Sequence, residues 1–129
     1  MRVRLLLLLA LVIFLPACGN QTPVGPAPVE TGDALKELGE VYHYLAAQKL
    51  PPPRRVEHLN EYSGSLEGAL PKIRAGDIVV VWGVGYAPGS NQVLAYPKDV
   101  AEKDGPVLLR NGTVKQMTAA EFKAAPKAK

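Results

Sequence analysis

One cysteine, one tryptophan and two histidines in 129 residues leave little material for several kinds of chemistry. A lone cysteine excludes an intramolecular disulfide framework and a Cys-rich zinc site. Two histidines with no second cysteine are too few for the usual His/Cys metal centre. Charge of one sign is also scarce. The formal net charge is +3, and Arg2 and Arg4 supply two of those units, leaving +1 on the rest of the chain. That is no electrostatic footprint for nucleic acid. Nor is there an apolar stretch of the ~20 residues that a membrane-spanning helix needs. The longest run, Leu5–Leu15, has 11 residues and covers only ~16 Å as a helix.

What is there begins with an address. Arg2 and Arg4 precede Leu5–Leu15, and the run ends Leu15-Pro16-Ala17-Cys18-Gly19. A basic start, a short apolar stretch and a small residue form a secretory signal rather than an anchor. The ending resembles the lipobox of bacterial lipoproteins, and the only cysteine of the chain stands where a lipobox needs it. The resemblance implies cleavage before Cys18, a diacylglyceryl group on its sulfur and acylation of the new amino terminus. Two or three acyl chains are enough for stable anchoring, where one is not. Gly19 after the cysteine, in place of Asp, resembles the pattern for export to the outer membrane, so a lipid-anchored position facing the periplasm or exterior is expected. Ordinary cleavage after Ala17 and an uncleaved anchor are the competing readings.

Residues 18–32 form a Pro/Gly-rich tether with almost no core-forming side chains. Residues 33–125 form the domain. Asp33 is a candidate N-cap, and Leu35, Leu38, Val41, Tyr42 and Leu45 mark one face of a helix that must stop before Pro51-Pro52-Pro53. Val56, Leu59 and Tyr62 mark a short second helix. Ile78–Trp82, β-branched and continuously apolar, reads as a central strand. Gln92–Tyr96 is a second strand. Val107–Arg110 and Thr113–Met117 flank Asn111-Gly112, the signature of a two-residue type I′ hairpin. That turn sets Leu109 opposite Val114 and puts Val107, Leu109 and Val114 on the core side. Thr118-Ala-Ala-Glu121 is a capping box for a short last helix. Residues 126–129 are expected to be a frayed tail. The expected fold class is α+β: an N-terminal helix packed on an antiparallel meander of about four strands, then a short C-terminal helix.

This order, with Tyr42 on the helix, Pro51-Pro52-Pro53, Ile78–Gly83, Val93-Leu-Ala-Tyr96 and Gly112-Thr-Val114 running into Met117-Thr118-Ala-Ala-Glu121-Phe122, resembles small bacterial envelope proteins related to pseudopilins. The likeness covers about two thirds of the chain, and its motifs are structural. Pseudopilins carry a long apolar helix that packs in a filament. Here a lipobox and tether stand in its place, which argues against pilus-like polymerisation.

Few residues tempt toward chemistry. His43 stands between two tyrosines, and His58 lies near Glu57 and Glu61, but no nucleophile elbow or third orienting group accompanies either. Both read as solvated histidines. Gly83-Val-Gly85 follows a strand, yet Pro88 occupies the place of the third glycine of a dinucleotide fingerprint, and a strand follows instead of a helix. That stretch reads as a loop, with Tyr86 as its one candidate contact. Lys49, Arg54 and Arg55 form a small basic cluster. No catalytic residue, cofactor or metal ligand is assigned, and the one modification site is Cys18. The expected function is a non-catalytic binding or structural module of the cell envelope, held to the membrane through lipid on Cys18, with no nucleic-acid partner. The alternative is an accessory component of a type II secretion or pilus-like machine, and a small periplasmic enzyme is a third reading. A protein partner in the envelope and a small-molecule ligand stay open.

Overall fold

The computed structural model describes residues 30–129. Cys18 and most of the tether lie outside the described residues.

Helix α1 runs Thr31–Ala47, and the five residues marked by the periodicity, Leu35, Leu38, Val41, Tyr42 and Leu45, are all buried. It starts two residues before the expected cap. Glu30 holds the N-cap position in extended backbone without a side-chain cap bond, and Asp33 falls in the first turn, where its charge still favours the helix dipole. At the other end Lys49 N–H donates to Ala46 O at 3.1 Å and Leu50 N–H to Leu45 O at 2.9 Å, a Schellman closure with Lys49 in the left-handed region at φ 57°. A 3-10 helix, Val56–Ser65, follows the three prolines. The spacing of three between Val56, Leu59 and Tyr62 is the 3-10 repeat itself, which stacks them on one side with Leu59 fully buried.

Helix α2, Ala69–Arg74, was not legible in the sequence. It has only six residues and contains Pro71. The proline is tolerated because it sits in the first turn, where no N–H is owed to the helix. Its free N-terminus is satisfied from a distance: a Glu37 carboxylate oxygen on α1 accepts from Gly68 N–H at 3.0 Å and Ala69 N–H at 2.9 Å.

Four strands, β1 (Ile78–Val80), β2 (Val93–Pro97), β3 (Gly105–Leu109) and β4 (Val114–Met117), form an antiparallel meander in the order β1-β2-β3-β4. Helix α3, Ala119–Ala124, closes the chain, and its capping box is formed, with Glu121 N–H on Thr118 Oγ1 at 3.1 Å and Thr118 N–H on Glu121 Oε1 at 3.2 Å. The fold is α+β, as expected.

Three expectations are corrected. First, Ile78–Trp82 is not central. β1 is a three-residue edge strand that ends before Trp82. Its apolar continuity comes from Ile78 and Val80 entering the core beside α2, while Val79 on the other face is half-buried. Second, the hairpin has a three-residue turn. Gly112 N–H donates to Leu109 O at 3.0 Å, Leu109 N–H to Thr113 O at 2.9 Å, and Gly112 has φ 85° while Asn111 is not left-handed. That is a type I turn with a G1 bulge, not type I′. The register becomes Leu108 opposite Val114 and Val107 opposite Lys115. One residue of shift exchanges the faces: Leu108 and Val114 point toward α1, and Val107, Leu109 and Met117 toward α3. Third, the tail is docked. Val93 N–H donates to Pro126 O at 2.8 Å and Ala128 N–H to Val93 O at 2.9 Å, a parallel bridge on β2. Ala128 is buried, and Lys127 Nζ donates to Phe122 O and Ala125 O, capping α3 while lying 4.1 Å from the Phe122 ring centroid.

The sheet is therefore covered on both faces. Gly39 lets α1 approach one of them: a Cβ there would stand 3.0 Å from Leu108 Cδ1 and 3.4 Å from Gly112 O. A bulge in β2 turns Leu94 and Ala95 both toward α1. Among the described residues the two clusters run from Ala34 to Ala128.

Candidate functional site

The Schellman closure of α1 and the rigid Pro51–Pro53 segment set the geometry of one end of the domain. The chain turns outward at Lys49, and Pro51 follows Leu50 directly, so Leu50 is left standing 44% exposed. Six residues before Leu50, Tyr44 of α1 is 51% exposed and meets Tyr62 of the 3-10 helix edge-on, with ring centroids 6.3 Å apart. These two are the only large apolar side chains exposed among the described residues. Between α1, the prolines and the 3-10 helix lies an open groove of about 330 Å³, with Leu45, Leu50 and Pro51–Pro53 on its apolar side and Arg54, His58, Glu61 and Tyr62 on its polar side. Burial and the Glu61 carboxylate push the Tyr62 phenol above its ordinary value.

His58 is exposed, and its two ring nitrogens each lie 3.2 Å from a donor, Nδ1 from the Arg54 N–H and Nε2 from Arg55 Nε. A neutral imidazole accepts at one nitrogen only, so one of these bonds forms at a time. Either fastens the start of the 3-10 helix. His43 is also exposed and lies edge-on to Tyr86 at 4.9 Å and 87°, in a different cleft beside Lys36, Gly39, Glu40 and Gly112. The structure thus does not bring the two histidines into one site. Among the described residues no three His, Cys, Asp or Glu side chains gather in a way that could hold a metal ion. Arg54, His58 and Glu61 are all exposed.

The Gly83–Asn91 loop is built as a structural connection. Gly83 N–H donates to Pro53 O at 2.9 Å and Ala87 N–H to Arg110 O at 2.8 Å, so both are already spent and unavailable to a phosphate. Arg110 holds the loop from below, donating from Nε to Gly85 O at 2.9 Å and from Nη1 to Gln92 Oε1 at 2.8 Å. This half-buried arginine went unremarked in the sequence, where it reads only as the residue before a turn. Tyr86, the candidate contact of the loop, spends its ring on His43 and on the hairpin: a Cβ on Gly112 would come within 3.3 Å of it.

Tyr42 is the one buried polar group without a partner among the described residues. It is 2% exposed, its hydroxyl meets no hydrogen-bonding atom, and burial pushes its phenol well above the ordinary value. Among the described residues no helix is long and apolar enough to cross a membrane. No protein-family model, curated protein or solved structure matches the chain.

Proposed function

We propose that the protein is a membrane-tethered lipoprotein of the bacterial cell envelope, whose folded domain serves as a non-catalytic binding or structural module. The observation that carries this reading is the position of its only cysteine, Cys18, directly behind an 11-residue apolar run and a small residue. The groove beside Pro51–Pro53 supports a binding role: it offers an apolar wall and a polar rim, the usual composition of a recognition surface.

Replacing Cys18→Ala is the test. The wild-type chain is expected in the membrane fraction, resistant to salt extraction. The variant is expected either in the soluble envelope fraction or as a longer, unprocessed precursor. A variant that remains membrane-bound at the mature length would contradict the reading.

The sequence's resemblance to pseudopilin-related envelope proteins suggests a second reading, in which the module, a helix on an antiparallel meander, is an accessory of a type II secretion or pilus-like machine. Loss of secretion in a deletion strain would favour it, and unchanged secretion would remove it.

A further inference from the structure

We propose that the domain makes a second, non-covalent membrane contact: the end formed by Lys49, Leu50, Pro51–Pro53 and Arg54 docks on an anionic lipid surface. The proposal rests on the lipid-anchor reading for what brings the domain to a bilayer, and on this end alone for the contact. The two exposed large apolar side chains, Tyr44 and Leu50, are both here. Cations stand on either side of Leu50, with Lys49 before it and Arg54 and Arg55 after the prolines. Glu57 engages Arg55 at 3.9 Å and Glu61 faces the groove, but Lys49 and Arg54 have no carboxylate partner among the described residues.

The backbone points the same way. Lys49 holds φ 57°, where glycine would close the helix with less strain. A lysine there sets a basic residue directly before the exposed Leu50. An apolar tip, flanking tyrosines and basic side chains make an interfacial lipid contact. A protein partner is the weaker fit, because two exposed apolar side chains fall well short of the ~800 Å² per partner of a stable interface. Geometry is also permissive. The link to Cys18 leaves α1 at its other end, about 25 Å away, so α1 lying along the bilayer brings both ends to the surface. The residues between Cys18 and Glu30 reach at most about 40 Å. Tethering at that range keeps the domain at high effective concentration, so a weak contact suffices.

Residues 30–129, which hold both buried clusters of the described residues and lack Cys18, are first checked for a cooperative thermal melt and then sedimented with vesicles of phosphatidylglycerol or of phosphatidylcholine. Binding to phosphatidylglycerol vesicles is expected, falling about tenfold or more on phosphatidylcholine and falling with added salt. Leu50→Glu and Arg54→Gln are each expected to weaken it severalfold at unchanged melting temperature. Lys49→Gly separates charge from fold: it relaxes the left-handed turn, so it is expected to raise the melting temperature while weakening binding. Equal sedimentation with the two lipids, or variants that bind like wild type, would overturn the proposal. So would a concentration-dependent dimer in light scattering that Leu50→Glu abolishes, which would assign this end to a second copy of the chain. Because Cys18 is missing from the tested protein, failure here leaves the anchor reading standing, and an unmodified Cys18 would leave this contact standing.

Discussion

On the α1 face of the sheet, eighteen buried residues join three helices, β1–β3, the Gly83 loop and the tail. On the α3 face, six do the work: Val93, Val100, Val107, Leu109, Met117 and Phe122. The larger cluster is held by a long amphipathic helix that docks closely at Gly39 and lends its Glu37 to the start of α2. The smaller is closed by a six-residue helix that cannot be stable alone and depends on its capping box, on Lys127 at its far end, and on Tyr96 against Phe122 at 4.7 Å. Burial of apolar side chains stabilises the first face, and capping chemistry gathered around a thin core stabilises the second.

The largest effect that would break this comparison comes from two neighbouring leucines of β3. Leu108→Ala opens a cavity beneath α1 and is expected to cost about 2–5 kcal/mol. Leu109→Ala, on the thin face and 6% exposed, is expected near the low end of that range because α3 can settle into the space. Urea denaturation of both decides it, and a larger loss at Leu109 would invert the ranking of the faces. Next, Glu37→Ala strips the acceptor from two N–H groups of the α2 start and is expected to cost about 1–3 kcal/mol by the same measurement. The hairpin sharpens the register on which the faces depend. Gly112→Val meets both φ 85° and the Tyr86 ring and is expected to cost about 1–3 kcal/mol. Asn111→Ala loses only the Thr113 N–H bond at 2.9 Å and is expected to cost less than about 1 kcal/mol. Equal losses at the two positions would restore the two-residue turn.

The smallest effect is at Tyr42, whose hydroxyl is buried on the α1 face without a partner. Tyr42→Phe is expected to leave stability unchanged or raise it by up to about 1 kcal/mol near neutral pH. The sign changes nothing below the ordinary phenol value of about 10. Above it the unfolded chain releases a proton that the folded chain keeps, so the wild type loses stability as pH rises. The Phe variant lacks that contribution, and its advantage in thermal melts is expected to grow at alkaline pH. A constant difference across that range would place the hydroxyl in contact with solvent.

Much of this architecture was legible where one local signal has one structural solution. The 3.6-residue spacing of α1, the Thr118/Glu121 capping box and the punctuation between strands each translated directly. The rest depended on partners distant in sequence. Whether Ile78–Val80 sits at an edge is decided by what lies beside it, not by its own β-branched run. Asn-Gly serves a two-residue type I′ turn and also a type I turn with a bulge at Gly112, and only the strands' packing selects between them. α2 owes its start to Glu37, thirty-one residues upstream. The tail reads as polar chain end, yet it fills the stretch of β2 that β1 leaves open after Val80. At the candidate site, the basic cluster and the prolines were plain in the sequence. The exposure of Leu50 was not, because it follows from a left-handed lysine that composition does not announce.

The most direct test of the lipid-anchor account is mass spectrometry of the mature amino-terminal peptide. The expected result is a chain that begins at Cys18, with a diacylglyceryl group on the sulfur and an acyl group on the new amino terminus. A mature peptide carrying Cys18 unmodified, or a chain that still begins at Met1 in the membrane, would contradict it.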